Sequence, residues 1–247
     1  MPIRSGLYAE PMEAVSLERT RSARTAVIWA VLRAELDRAG RPLRVVDVGG
    51  GTGGFAAPLA EAGHHVTVVD PSPDALASAA RRAADSGVSG RLTAVQGDAD
   101  GLADLVEPGS VDLVLCHAVL EVVDDPAQVA LALKTALRPG GAASVVVASR
   151  AAAVLARAMS GRVAEAVSLF SGVTGHRRRF DAASASELLT RAGLAVEQVH
   201  GVRVIADLVP GAAADADPEA LLEFELAAAA QPPYRDIATQ LHLLARA

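Results

Sequence analysis

Aromatic residues and cysteine are scarce in this chain. Of its 247 residues, four are Phe, two are Tyr and one is Trp, whereas 51% are hydrophobic. A core with so few rings has to be packed from Ala, Val and Leu, which suits Ala-rich helices laid against Val-rich strands. The one cysteine, Cys116, excludes an intramolecular disulfide. The composition therefore favours an α/β protein that needs no covalent staple.

Long apolar runs, a secretion signal and an excess of positive charge are lacking as well. The longest apolar stretches, such as residues 142–148, are too short to cross a bilayer. Residues 1–4 lack the basic-then-apolar layout of a signal peptide, so we expect a cytoplasmic protein without membrane contacts. The net charge of −6 argues against a protein that binds nucleic acid through its overall electrostatic field. Binding through a local basic patch remains an alternative. The six histidines have no cysteine or carboxylate at ligand spacing, which predicts no metal site.

Short β-branched runs alternate with helical segments from residue 43 onwards. This alternation predicts a single α/β domain over residues 1–247, built on a Rossmann-like, doubly wound, mostly parallel sheet with helices on both faces. Strands are expected at seven places, namely 43–48, 65–70, 92–96, 111–115, 143–148, 195–205 and 241–245. The pattern also predicts a helical cap at 18–37, an inserted helical lid at 151–180 and a loop at 210–217.

A glycine-rich turn follows the first predicted strand. Residues 47–53 read Asp-Val-Gly-Gly-Gly-Thr-Gly, and glycine is needed where the backbone turns sharply and comes close to a ligand. Such a turn serves either a dinucleotide, through its pyrophosphate, or S-adenosylmethionine (SAM), which carries an amino group and a sulfonium. An acidic residue before the glycines can bind positively charged groups such as those of SAM. Asp47 followed by Gly49, Gly50 and Gly51 therefore favours SAM over a dinucleotide.

Two further acidic residues come at the ends of the next two strands. Asp70 ends the second strand, where a carboxylate can accept hydrogen bonds from both ribose hydroxyls. Asp98 follows the third strand, where its side chain can accept from the adenine amine while the backbone N–H of Ala99 reaches a ring nitrogen. A single aspartate at a strand end is often only a turn or helix-capping residue. Three of them in register predict a SAM site.

Two sets of motifs resemble known methyltransferases. Class I SAM-dependent methyltransferases typically show motifs like those at 111–121 (Val-Asp-Leu-Val-Leu-Cys-His-Ala-Val-Leu-Glu), 125–126 (Asp-Pro) and 137–141 (Leu-Arg-Pro-Gly-Gly). The bacterial tRNA carboxymethoxyuridine carboxyl methyltransferase family, which esterifies a modified wobble uridine, is similar at 117–121 (His-Ala-Val-Leu-Glu), 201–204 (Gly-Val-Arg-Val), 231–234 (Gln-Pro-Pro-Tyr) and 241–246 (Leu-His-Leu-Leu-Ala-Arg). The resemblance implies an enzyme that transfers a methyl group from SAM, with tRNA as one expected acceptor.

The same resemblance implies roles for single residues. Arg24 in the leading helix would contact the SAM carboxylate, and Gly49 and Gly50 would contact the main body of the cofactor. Asp70 would bind the ribose, residues 98–100 the adenine region, and His117 the cofactor near its methyl group.

The acceptor site is predicted from charge. A carboxylate acceptor loses no proton but needs a cation to hold it, for which Arg203 is the first choice and the arginines at 177–179 are the second. A hydroxyl or amine acceptor would need a general base, and His117 is the candidate. Ile205 and Ala206 stand where the family has an aromatic residue and a histidine. A small carboxylic acid is therefore the alternative acceptor to tRNA. Two other functions remain alternatives: a small-molecule O- or N-methyltransferase, and a non-catalytic SAM-binding partner subunit.

Overall fold

One sheet runs through the residues that the computed structural model describes, 22–172 and 177–247. Its strands are β1 (Arg44–Val48), β2 (His65–Asp70), β3 (Leu92–Gln96), β4 (Val111–His117), β5 (Leu137–Ala148), β6 (Ala195–Val202) and β7 (Gln240–Arg246). They lie in the order β3-β2-β1-β4-β5-β7-β6, and β7 runs antiparallel to both of its neighbours. The predicted fold class, a seven-stranded and mostly parallel Rossmann-like sheet, is confirmed.

Helices cover both faces of the sheet. In chain order they are α1 (Ala26–Ala39), α2 (Ala56–Glu61), α3 (Pro73–Asp85), α4 (Leu102–Leu105), α5 (Pro126–Ala136), α6 (Arg150–Met159), α7 (Val163–Phe170), α8 (Ala182–Arg191), α9 (Gly211–Ala216), α10 (Pro218–Ala228) and α11 (Tyr234–Ile237). Helices α1 to α3 pack on one face through residues such as Trp29 and Leu59, and α4, α5 and α8 pack on the other through residues such as Leu133 and Leu189. Within the described residues, no helix is long and apolar enough to span a membrane.

Side-chain caps fix the starts of several of these helices, of which α3 and α5 are examples. Ser72 Oγ accepts the Ala75 N–H at 3.2 Å ahead of α3, and Asp125 Oδ1 accepts the Ala127 N–H at 2.9 Å ahead of α5. Each helix then begins with a proline, whose missing N–H costs little at the first helical position. The local sequence is therefore enough to place both starts.

The cap helix starts later than the prediction of residue 18. Helix α1 begins at Ala26, because residues 23–25 form a turn in which the Thr25 N–H bonds to the Ser22 carbonyl at 2.9 Å. Residues 18–21 lie outside the described part of the chain. The segment predicted as a lid contains α6 and α7, and its residues 173–176, including His176, also lie outside the described part. Its action as a lid stays a prediction.

Two predictions near the carboxyl terminus need correction. The strand predicted at 195–205 ends at Val202, because Arg203 takes a left-handed backbone with φ 58°. The N–H groups of residues 204–206 then bond to the Glu225 carboxylate instead of to a strand. The segment predicted as a loop at 210–217 contains helix α9, in keeping with the high helix propensity of its alanines.

Candidate active site

The glycine turn lies at the edge of the sheet where the parallel strands end. Gly49, Gly51 and Gly53 have φ values of 67°, 53° and 75°, a left-handed backbone that residues with side chains rarely adopt. The Gly49 N–H bonds to the Val69 carbonyl of β2 at 2.7 Å. The turn after β1 is therefore anchored to the neighbouring strand, and it presents bare backbone at this edge.

Gly50 lies directly over the carboxyl group of Asp47. A Cβ atom at Gly50 would come within 2.6 Å of Asp47 Cγ, and one at Gly49 would come within 2.4 Å of Val119 Cγ2. Nonbonded carbon atoms do not approach so closely, so a side chain at either position would displace its neighbours. The turn is held between Asp47 on β1 and the loop that follows β4.

Asp70 connects the glycine turn to the end of β2. Its Oδ2 accepts the Gly51 N–H at 2.9 Å, and its Oδ1 accepts the Ser72 N–H at 2.9 Å. Each carboxylate oxygen keeps a lone pair for a further donor, so two ligand hydroxyls can still bind. Asp98 and Ala99 follow the adjacent strand β3, and the exposed Asp98 side chain makes no capping bond to the short helical turn that follows it.

Asp47 is a buried carboxyl group with one unsatisfied oxygen. It is 3% exposed, and its Oδ2 has no hydrogen-bond partner among the described residues. Burial raises the pKa of Asp47 to about 7, and the negative charge of Asp70 contributes to the rise. A cation beside Oδ2 would satisfy the oxygen and favour the charged form. Asp47 thus has the properties expected of a ligand for an amino group.

The His117 ring is half-buried at the end of β4. Its Nε2 lies 2.9 Å from Ser144 Oγ, and Phe55 packs edge-on against the ring with centroids 4.8 Å apart. Its Nδ1 is buried and has no partner among the described residues. Burial lowers the pKa of His117 to about 3, so the ring is neutral near pH 7 and accepts a proton poorly.

Asp207 joins the two arginines that were predicted to bind carboxylates. Arg24 Nη2 lies 3.2 Å from Asp207 Oδ1, and Arg203 Nη1 lies 3.7 Å from Asp207 Oδ2. Arg203 follows β6, which runs in the same direction as β5, so it lies at the same edge of the sheet as the glycine turn. The roles of Arg24 toward the SAM carboxylate and of Arg203 toward the acceptor stay predictions.

The three arginines at 177–179 have different surroundings. Arg178 donates to the carbonyl oxygens of Val123 and Asp124, so it fixes the loop before α5. Arg177 is exposed. Arg179 is half-buried and makes no hydrogen bond or ion pair with any described residue, but burial raises the pKa of the Glu121 carboxyl and the positive charge of Arg179 opposes that rise. Of the three, Arg179 lines a neighbouring cavity.

That cavity has a volume of about 550 Å³ and lies between α6 and the loop after β6. Its size falls in the range of small-ligand sites. Ser149 directly follows β5 and Thr239 directly precedes β7, so the cavity opens at the same edge of the sheet as the glycine turn. Apolar side chains such as Leu155, Met159 and Leu208 form much of its wall, and none of the described lining residues is aromatic.

Four polar residues at this end of the molecule were not among the predicted site residues: Ser144, Asp207, Glu225 and His242. A signal existed for two of them, because Ser144 and His242 are polar residues inside otherwise apolar strands. Glu225 carries no such signal, since its partners come from another element, whereas Asp207 follows one of its partners, Arg203, by four residues. The carboxylate of Glu225 is fully buried and accepts three backbone N–H groups at 2.8 Å each.

Comparisons with known proteins agree with this geometry. The family described as a methyltransferase domain matches residues 46–145. The tRNA 5-carboxymethoxyuridine methyltransferase of Escherichia coli (strain K12) is 33% identical over 232 residues, which cover 90% of this chain and 87% of that protein. The ubiquinone biosynthesis O-methyltransferase of Xylella fastidiosa (strain 9a5c) is 33% identical over 162 residues, 65% of this chain and 64% of that protein. A solved SAM-dependent methyltransferase from Mesorhizobium loti is 25% identical with a TM-score of 0.61, covering 91% of this chain and 100% of that one.

The chain therefore belongs to the class I SAM-dependent methyltransferases. The predictions of an enzyme and of SAM as its cofactor are confirmed. SAM supplies a methyl group activated by a positively charged sulfur, and at the glycine turn the unsatisfied Asp47 oxygen and the free lone pairs of Asp70 would hold it. Residues 22–172 and 177–247 contain no group of three His, Cys, Asp or Glu side chains that could hold a metal ion.

Proposed function

We propose that this methyltransferase esterifies a carboxylate, and that the carboxylate belongs to 5-carboxymethoxyuridine in tRNA. The observation that carries the proposal is Arg179, a half-buried guanidinium in the cavity wall without a hydrogen bond or ion pair to any described residue. A guanidinium binds a carboxylate through two parallel hydrogen bonds, and partial burial strengthens such a pair. Arg179 is preferred here to Arg203, because Arg203 already faces Asp207.

The state of His117 supports an acceptor that needs no base. A carboxylate is already ionised at neutral pH and attacks the methyl group without losing a proton. A hydroxyl or amine acceptor has to pass a proton to a base during or before the reaction. His117 suits that role poorly, because its Nε2 is bound to Ser144 and its pKa is lowered to about 3 by burial. The contribution of the protein is then alignment of the acceptor with the methyl group.

The choice of tRNA rests on similarity and on the position of the basic segment. The E. coli relative that matches over 90% of this chain is named for 5-carboxymethoxyuridine in tRNA. Arg177 is exposed beside Arg179, so one cation can bind phosphate outside the cavity while the other binds a carboxylate within it. A small carboxylic acid is the second candidate, favoured by the apolar cavity wall and by the net charge of −6.

Methyl-labelled SAM tests the proposal with three acceptors: tRNA that carries 5-carboxymethoxyuridine, the same tRNA with unmodified uridine, and small aliphatic carboxylic acids. We expect label on the first alone. Mild alkali should release it as methanol, because methyl esters hydrolyse there whereas methyl ethers and methylamines do not. Alkali-stable label on a hydroxyl or amine would contradict esterification, and transfer to the small acids alone would favour the second candidate.

The matched pair of variants is Arg179→Ala and Arg177→Ala. Arg179→Ala should lower kcat/KM for the acceptor by roughly 10- to 100-fold, the value of a charge-assisted hydrogen bond, while the Kd for SAM changes by less than about threefold. Arg177→Ala removes the same charge from the exposed neighbour, where a screened phosphate contact is worth less, so its loss should be smaller and should shrink further at high salt. Equal losses in the two variants would contradict a specific role for Arg179.

A further inference from the structure

Three histidines and a serine form a polar row across four neighbouring strands. Ser144 Oγ on β5 lies 2.9 Å from His117 Nε2 on β4 and 2.8 Å from His242 Nε2 on β7. His200 on β6 stacks on His242, with ring centroids 5.9 Å apart. Ser144 and His242 are fully buried. The row ends at His117, which lies at the same edge of the sheet as the glycine turn. The row therefore connects the interior of the sheet with the candidate active site.

A single hydroxyl between two imidazoles constrains both rings. Ser144 has one proton, so it can donate to one Nε2 atom and has to accept from the other. The ring that receives this hydrogen bond carries its own proton on Nδ1, and the ring that donates carries its proton on Nε2. Burial lowers the pKa of both His117 and His242, which keeps both rings neutral. The two rings therefore take opposite tautomers.

The surroundings of the two Nδ1 atoms favour one of the two arrangements. Both Nδ1 atoms are buried without a partner among the described residues. A buried N–H without an acceptor is the less tolerated state, so the Nδ1 proton belongs on the ring that a ligand can reach. His242 lies within the sheet, between β5 and β6. His117 ends β4 at the edge where ligands bind in doubly wound sheets.

We propose that Ser144 and His242 are positioning residues that hold His117 as its Nδ1–H tautomer, a hydrogen-bond donor to an oxygen atom of the bound cofactor or acceptor. His242 Nε2–H donates to Ser144 Oγ, and the Ser144 hydroxyl donates to His117 Nε2. His117 then acts as a neutral donor and takes no proton from the acceptor. This arrangement is independent of which acceptor is methylated.

Imidazole nitrogen NMR of the full-length, ¹⁵N-labelled protein with S-adenosylhomocysteine bound tests the proposal without any acceptor. We expect a protonated Nδ1 on His117 and a protonated Nε2 on His242, with the signals assigned from His117→Gln and His242→Gln spectra. Ser144→Ala should remove the coupling, so that the tautomers of the two rings change. Ser110→Ala is the matched control, because the Ser110 hydroxyl is also buried but has no partner among the described residues. It should leave the imidazole signals of the row unchanged.

The same tautomer on both wild-type rings, or an imidazole spectrum unchanged by Ser144→Ala, would overturn the proposal. The tautomers themselves are read from the wild-type protein, and the variants serve to assign its signals and to test the coupling of the two rings. In methyl-transfer assays, Ser144→Ala should lower kcat/KM about tenfold, the rate equivalent of the one hydrogen bond from His117 to the cofactor or acceptor. Equal kcat/KM values for Ser144→Ala and Ser110→Ala would show that the row is only structural.

Discussion

Asp47 should make both stability and cofactor binding depend on pH. Its pKa is about 7 in the ligand-free protein, against 3.8 for an ordinary aspartate, because burial and the charge of Asp70 disfavour ionisation. The difference corresponds to about 4 kcal/mol for holding the charged form in the folded protein without a cation. Because the folded-state pKa is raised, the folded protein binds more protons than the unfolded chain between these two values. The free energy of unfolding therefore falls as the pH rises through this window.

The variant Asp47→Asn isolates this effect, since it keeps the shape of the side chain and removes the titration. Without SAM, the free energy of unfolding of Asp47→Asn should exceed that of the wild type, and this excess should be about 3 kcal/mol larger at pH 8 than at pH 5. For a chain of this length that is a further rise in Tm of roughly 6–12 °C at the higher pH. Thermal unfolding at the two pH values measures it. The control is Asp74→Asn, an exposed residue in the first turn of α3, which should show no such difference.

SAM binding should follow the opposite trend in the wild-type protein. The amino group of SAM beside Asp47 favours the carboxylate, so binding releases a proton, and the Kd should fall roughly tenfold from about pH 5.5 to about pH 6.5. Calorimetry in two buffers of different ionisation enthalpy counts the released proton. A wild-type Kd that stays constant over this range, or a stabilisation by Asp47→Asn that is equal at pH 5 and pH 8, would refute the reasoning.

Two further substitutions test the cofactor site and the loop after β6. Asp70→Ala should weaken SAM binding by about 2–3 kcal/mol, because it removes ligand hydrogen bonds together with the anchor of the Gly51 N–H, and calorimetry beside Asp74→Ala measures the loss. An unchanged Kd would exclude Asp70 from the site. Glu225→Gln should lower the free energy of unfolding by about 3 kcal/mol, since an amide cannot accept all three backbone N–H groups. Denaturant unfolding beside the exposed Glu223→Gln checks this, and equal stabilities would contradict the assigned role.

Local chemistry was enough to predict the sheet and the glycine turn. The predicted strand at 65–70 matches β2, and the predicted strand at 92–96 matches β3. Asp47 and Asp70 could be chosen because each comes at the end of a β-branched run, and parallel strands bring such ends to one edge. The sequence alone therefore determined the fold class, the cofactor and the residues nearest to the strand ends.

Only the tertiary structure decided the partners of the polar residues. Arg203 was predicted to hold the acceptor, and only the packed loops show that its neighbour Asp207 also pairs with Arg24 and that Arg179 lines the cavity. Ser144 and His242 are 98 positions apart in the chain, yet they are hydrogen-bonded because β7 returns beside β5. Motifs and periodicity describe neighbours along the chain. Burial and hydrogen-bond partners depend on neighbours in space, which the order of strands in the sheet sets.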